Sequence, residues 1–427
     1  MVGTLPAAPT LGSMSTSSTS PPSQRRLRLL EVPVGPGAVE ALWEPLGAAL
    51  AGGAPLAPIP AASSSLPSSV IESLRTALRP EAPVAAGTAV IVATSGSTGN
   101  PRGVEISAAA AQSLSDEINA RAGIDPAWVL AIPATSIGGL NVLIRAHQTG
   151  RAPVAVRSLA GAQRFTDEVF TEAVESAGAE GRPIAVSLVP AQLPRLLATA
   201  VGRSALQRCS LILVGGAALA PQAARDCLAA GITVTTTYGM TETSGGCVLD
   251  GIPLDGVQVR IGDLESNDDR IWFSGPMLAS GYRDDQDSPF IDGWLRTGDR
   301  GRWAGGRLEI LGRLDDIVTV RGVNVDIVAI EDRVRDHPSI RDAIVIVTPD
   351  EATDTRLHIA FISDNEVSES EVREWVRDHL GKEAMPSTAR RVVSFESTPT
   401  GKLDRISTAR ALGLNPESTH GPGGDLL

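Results

Sequence analysis

Four hydroxyl side chains, three glycines and one arginine fall within ten residues in Thr94-Ser-Gly-Ser-Thr-Gly-Asn-Pro-Arg-Gly103. Glycines let a backbone take φ > 0 and approach an anion closely, so that successive N–H groups converge on it. Thr94, Ser95, Ser97 and Thr98 add hydroxyl donors around Gly96 and Gly99, and Arg102 adds a fixed positive charge. Such a stretch can cradle phosphate. No Gly-Lys-Ser/Thr closes it, which excludes a Walker loop, and there is no Gly-x-Gly-x-x-Gly turn here. The competing reading is a flexible Ser/Gly linker. Against it stand the apolar run Ala89–Ala93 on one side and an Ala-rich stretch, expected to start a helix near Ser107, on the other.

The elements that must position this loop follow from patterning. Val129–Pro133, Pro183–Leu188, Ser210–Val214 and Ile232–Thr236 are strand-like, and helices alternate with them. Pro67–Leu78 reads as a helix with proline at its start, whereas the rest of 25–80 shows few clear strands. Pro221 opens a further helix and Gly231 stops it. This alternation predicts parallel sheets covered by helices, with ligands beyond the carboxyl ends of the strands. The Thr94 loop, Gly215-Gly216 and the segment from Thr237 are all expected at such ends. Gly138–Ala146 reads as an apolar helix carrying Arg145; a guanidinium there either snorkels, pairs internally or meets an anionic ligand. From Gly256 to Tyr282 the short alternating runs Val257–Ile261 and Arg270–Ser274 predict a small β-subdomain. After Ile317–Asn324, a helix, two strands (Ala343–Val347, Arg356–Ile362) and a helix at Ser368–Leu380 predict a compact α+β unit.

The chain of 427 residues is 42% hydrophobic and 20% charged, enough for two or three domains. A net charge of −12 excludes nucleic-acid binding as the main surface. Cys209, Cys227 and Cys247 lack metal or disulfide spacing and read as buried small residues in a reducing compartment. No apolar run is long enough for membrane insertion, and residues 1–24 lack the pattern of a signal peptide. A cytoplasmic location is expected, with 1–24 and 413–427 as disordered tails and a start such as Met14 open.

The loop Ser95–Gly103 resembles the phosphate-loop signature of the acyl-adenylate-forming (AMP-binding) superfamily, which usually carries Lys where this chain has Arg102. Four further motifs match in order: Tyr238-Gly-Met-Thr-Glu242, Gly293–Gly301, Leu311–Asp316 and Thr398–Arg405. The resemblance implies a large N-terminal domain (25–314) of parallel αβ-layered sheets with a small β-subdomain, hinged at Asp315 to an α+β lid (315–412). It implies nucleotide contacts from Thr94, Ser95, Gly96, Ser97, Thr98, Gly99, Gly215, Gly216, Ala217, Thr237, Tyr238, Gly239, Met240 and Thr241. Tyr238 would stack on the purine, Thr241 and Glu242 would serve Mg²⁺, and the Asp299 carboxylate would suit a ribose. Arg313 would approach the nucleotide, Lys402 would be the catalytic lysine together with Arg102 and Glu242, and Arg321 and Gly322 would line a thiol tunnel.

The implied reaction is attack of a carboxylate on the α-phosphorus of ATP, then transfer of the acyl group to coenzyme A. Within the superfamily, Gly139–Arg145, Ser187–Leu197 and Thr236–Cys247 are similar to the 2-succinylbenzoate–CoA ligase family of menaquinone biosynthesis. By that resemblance Gly139, Arg145, Ser187 and Thr237 line the acid pocket, Arg145 holding the carboxylate that does not react. The alternatives are another acyl- or aryl-CoA ligase, a stand-alone adenylation enzyme loading a carrier-protein thiol, or a non-catalytic nucleotide-binding relative. Small molecules are the expected partners, and a homo-oligomer is compatible with the sequence. Relatives often have His after the position of Pro133, and proline and glutamate at the positions of Ile327 and Ala329; this chain has neither feature.

Overall fold

The structure, a computed structural model, describes residues 26–416 apart from 63, 65, 95–100, 124, 162, 263–267, 285–287, 321, 351–353 and 397–402. The first sheet starts from β1 (Arg28–Val32), β2 (Leu56–Pro60), β3 (Thr88–Thr94) and β4 (Arg102–Ser107). β1, β2 and β3 run parallel, whereas β4 returns antiparallel to β3 with Thr94 opposite Arg102. The expected strand–turn–helix is therefore a hairpin: the helix Ala108–Gln112, capped by Ser107, begins only after β4. Val104 and Ile106, fully buried, explain why the segment stays extended; their alternation with the strand period fills the core below β3.

The second sheet contains β5 (Ala127–Leu130), β6 (Val154–Ala155), β7 (Ile184–Leu188), β8 (Leu211–Val214), β9 (Thr235–Met240), β10 (Gly245–Leu249) and β11 (Ile252–Pro253), in the order β11-β10-β9-β8-β7-β5-β6. Its five central and edge members from β9 to β6 are parallel, and β10 and β11 close it antiparallel. The β7 run Ile184–Leu188 is buried throughout, as expected of a strand covered on both faces. β9 lies later than expected, so Tyr238 and Gly239 belong to the strand and not to the loop beyond it. Pairing with β10 extends it: Tyr238 opposes Val248, and Gly239 opposes Gly246.

A third sheet joins β12 (Gln258–Ile261), β13 (Arg270–Ser274), β15 (Phe290–Ile291), β16 (Trp294–Ala304) and β17 (Arg307–Arg313). The expected subdomain is present, with one correction. The two-residue strand β14 (Gly281–Tyr282) leaves it and pairs with β4, Tyr282 opposite Val104. One core of buried side chains runs beneath all three sheets, from Val32 to Leu308.

Arg283, next to β14, is a fixed point of this arrangement. Its guanidinium donates to the carbonyls of Leu78, Arg79, Ala82 and Pro83 and pairs with the buried Glu105 at 2.7 Å. These acceptors lie in and after the end of helix Ser68–Leu78, whose last carbonyls have no intrahelical partner. A buried charge with five acceptors is one of the few forms in which a guanidinium is tolerated away from water.

Beyond the turn Leu314–Asp316, the hairpin β18 (Ile317–Val320) and β19 (Val323–Asp326) leads into the helix Ile327–Arg335, capped by Asp326. β20 (Asp342–Asp350), β21 (Asp354–Ile362) and β22 (Thr388–Arg391) form a separate sheet, with the helix Glu369–Leu380 packed on it. A second core, from Val320 to Ala389, lies here. β1, β2 and the helix Gly37–Leu50 were not legible beforehand, and β22 and the helix Arg405–Ala411 add to the expected α+β unit. Leu412 and Leu414 still pack on β20 and β21, so order extends into the expected tail. Among the described residues no helix is long and apolar enough to cross a membrane.

Candidate active site

The β9–β10 hairpin is the centre of the site. Gly239 sits so close to the backbone of Gly245 that no Cβ fits between them. This close approach lets the chain turn through Thr241–Thr243, where Thr243 Oγ1 accepts from Met240 N at 2.8 Å and donates to the Gly245 carbonyl at 2.8 Å. Asn141 braces the same turn from the helix Ile137–Gln148, donating to the Ser244 carbonyl at 2.8 Å. Thr237 lies between Gly215 and Gly246, its hydroxyl against Gly215 at the end of β8. Gly216 and Ala217 follow in an exposed bend. Two of the expected loops, after β8 and around β9, thus meet side by side. At the start of the helix Ile137–Gln148, Gly139 is closed off by the carbonyls of Ile132 and Pro133, so its lack of a side chain serves packing.

One polar group leads from β9 to the third sheet. Tyr238 donates its hydroxyl to Asp299 Oδ2 at 2.6 Å, and Arg313 Nη1 donates to Asp299 Oδ1 at 2.9 Å. Burial, and then the neighbouring Asp299 carboxylate, push the Tyr238 phenol well above its ordinary pKa, so it remains a donor. Each carboxylate oxygen has a second lone pair. Asp299 can therefore accept from a vicinal diol while Tyr238 and Arg313 hold it still. Arg313 also reaches Asp315 at 3.3 Å, in the turn that precedes β18. Asp299→Asn is expected to raise KM for ATP about tenfold with a smaller change in kcat, since one charge-assisted bond is lost. Initial rates over a range of ATP concentrations check this, and an unchanged KM would remove Asp299 from the nucleotide site.

A second polar group joins the first sheet to the turn after β9. Glu242 accepts from Tyr282 at 2.6 Å, and the Arg102 guanidinium lies 3.6 Å from the centre of the Tyr282 ring. Arg102 also pairs with Asp284 through two bonds, at 2.7 and 3.1 Å. Burial opposes the charge on Arg102, but Asp284, Tyr282 and Glu242 together outweigh it and raise the pKa. Thr94 faces Arg102 across the hairpin and donates to its carbonyl at 3.3 Å. Tyr282 and Asp284 were missed in the sequence because they follow a stretch patterned like the β-subdomain; only the pairing of β14 with β4 brings them here.

Ser187 is buried in β7, level with Leu130 of β5. Arg145 lies deeper, with its guanidinium 5.4 Å from the ring centre of Trp128, two residues before Leu130. It is 6% exposed, and among the described residues no carboxylate pairs with it. Burial alone pulls its pKa down to about 10, so it is charged at neutral pH. Ser95, Gly96, Ser97, Thr98, Gly99, Arg321 and Lys402 lie outside the described residues, and Gly322 lies exposed in the turn between β18 and β19. Cys227 and Cys247 are buried as expected, whereas Cys209 is half-buried; each thiol is free.

Comparison with known proteins identifies the family. A model of the AMP-binding enzyme family matches residues 40–283, and one of the AMP-binding enzyme C-terminal domain matches residues 329–402. The chain belongs to the AMP-binding enzyme family. A probable 2-succinylbenzoate–CoA ligase of Mycobacterium tuberculosis is 36% identical to it over 79% of this chain and 88% of that protein. The 2-succinylbenzoate–CoA ligase of Enterococcus faecalis is 28% identical over 74% of this chain and 68% of that protein. Among solved structures, the amide bond synthetase McbA from Marinactinospora thermotolerans has a TM-score of 0.70 at 23% identity, covering 91% of this chain and 90% of that one. The o-succinylbenzoate CoA synthetase of Bacillus subtilis, solved with its acyl-adenylate intermediate, has a TM-score of 0.66 at 21% identity, covering 94% and 89%. At such identities the structural likeness establishes the fold.

Proposed function

We propose that this protein is an ATP-dependent acid–thiol ligase. It activates 2-succinylbenzoate as the acyl-adenylate with release of pyrophosphate, and passes the acyl group to coenzyme A, yielding 2-succinylbenzoyl-CoA for menaquinone biosynthesis. Membership of the AMP-binding enzyme family and the named relatives support the reaction class. Arg145 is the observation that carries the choice of acid. A buried cation with no carboxylate partner among the described residues calls for an anionic guest, and an acid with two carboxylates leaves one to meet it while the other reacts.

The residues divide the work. Asp299, steadied by Tyr238 and Arg313, orients the ribose. Arg102 and the phosphate loop face the triphosphate, and Lys402 brings positive charge to the α-phosphate and the attacking carboxylate, two anions that otherwise repel. Ser187 and Thr237 line the acid pocket. Among the described residues no cluster of three carboxylate, His or Cys side chains could hold a metal alone. Mg²⁺ favours one or two carboxylates together with phosphates and water. Glu242 fits, since Tyr282 engages one of its oxygens and among the described residues the other has no hydrogen-bond partner, with Thr241 beside it. Bound there, Mg²⁺ would offset charge on the β- and γ-phosphates. Asp315 would serve as the hinge between residues 25–314 and the lid 315–412, and Arg321 and Gly322 would serve the path of the thiol. A cytoplasmic location suits the soluble substrates.

Incubation with ATP, Mg²⁺, coenzyme A and 2-succinylbenzoate is expected to give the thioester, read by mass. Acid-dependent ATP–pyrophosphate exchange with fatty or simple benzoic acids but not with 2-succinylbenzoate would overturn the choice of acid. Adenylate formation without thioester would point to a carrier-protein acceptor.

A further inference from the structure

Four side chains of alternating character form one string between the phosphate loop and the turn after β9. Asp284 holds Arg102 in a bidentate pair, the Arg102 guanidinium lies over the Tyr282 ring, and the Tyr282 hydroxyl donates to Glu242. The backbone builds this stack. Tyr282 opposes Val104 on β4, so Arg102, two residues earlier on that strand, is its diagonal neighbour on the same face. The turn carrying Glu242 is fastened to the segment before β14 as well, because Ala279 N donates to the Glu242 carbonyl at 2.8 Å. Phe290 meets the Tyr282 ring edge-on, with centroids 6.1 Å apart.

We propose that Tyr282 is a positioning residue that couples Arg102 to Glu242, so that the triphosphate and its divalent cation bind cooperatively. The proposal rests on the reading that Arg102 and Glu242 face the nucleotide. The ring holds the guanidinium from one side while Asp284 holds its edge. The hydroxyl fixes one oxygen of Glu242 and so the direction of the other. A cation over the ring face polarises the phenol and strengthens its bond to Glu242. Whatever shifts Arg102 is thereby felt at Glu242.

Tyr282→Phe removes the hydroxyl and keeps the ring; Tyr282→Leu removes both. Binding of a non-hydrolysable ATP analogue is measured by calorimetry, in EDTA and across a Mg²⁺ titration, beside thermal melts of each variant. Tyr282→Phe is expected to bind the analogue in EDTA as wild type does, while the Mg²⁺ concentration for half-maximal tightening rises roughly fivefold. Tyr282→Leu is expected to lose about tenfold in affinity even in EDTA. A wild-type Mg²⁺ titration for Tyr282→Phe overturns the proposal, as does a loss in either variant that follows its melting temperature alone. If the wild-type protein neither binds the analogue nor exchanges pyrophosphate with any acid, the functional reading itself falls. A wild type that does both beside an unshifted Tyr282→Phe refutes the coupling alone.

Discussion

Replacing Arg145 by leucine is expected to stabilise the resting protein and to disable it. The guanidinium is charged, nearly inaccessible and without a carboxylate partner among the described residues. Removing an uncompensated buried charge in favour of an apolar side chain should stabilise the fold by about 1–3 kcal/mol, a rise of several degrees in melting temperature. The same change deprives a dicarboxylic acid of its anchor. A charge-assisted bond contributes roughly 1.5–3 kcal/mol, so kcat/KM for 2-succinylbenzoate should fall about 10- to 100-fold, mostly through KM. An aryl acid with a single carboxylate should be almost indifferent. Thermal melts and pyrophosphate exchange with both acids test the pair of effects. Lower stability with equal losses for the two acids would mean that Arg145 is structural.

Lys402→Ala is expected to lower adenylate formation by roughly a hundredfold to a thousandfold, the range typical when one preorganised charge is withdrawn from a developing anionic transition state. Affinity for a non-hydrolysable ATP analogue should change far less, because the phosphate loop and Asp299 remain. Transfer from chemically supplied acyl-adenylate to coenzyme A should persist, since by then the α-phosphate no longer meets an attacking carboxylate. The chain just after Lys402 is well anchored: Asp404 caps the helix Arg405–Ala411, and Arg405 pairs with the buried Glu331 at 2.6 Å. Exchange at the wild-type rate would remove Lys402 from the first step.

Much of this molecule could be read before any coordinate. The parallel strands β5, β7 and β8 announced themselves as short β-branched runs, because burial on both faces leaves little room for polar residues. The helix from Pro221 and its stop at Gly231 followed from backbone chemistry alone. β2 was opaque because its sequence, Leu-Ala-Pro-Ile-Pro, carries two prolines that argue against a strand inside a sheet. The helix start near Ser107 is legible in the Ala-rich sequence, but the strand β4 before it is not; burial of Val104 and Ile106, a tertiary effect, makes that segment the second arm of a hairpin. Asp299 was legible as a site residue, but not its clamp between Tyr238 and Arg313, which joins side chains 61 and 14 positions away. Tyr282 and Asp284 were invisible for the same reason.

Arg283 stands between those two residues and never touches the cleft. It opens the turn that follows β14, and a guanidinium moored by five acceptors holds the backbone on either side of it in place. The aim of the cleft's aromatic and its carboxylate is thus set from behind, by a side chain that works as a keel. Drift at this locus would register as poor nucleotide handling long before any visible damage to the site, and surveys confined to its lining would overlook the origin.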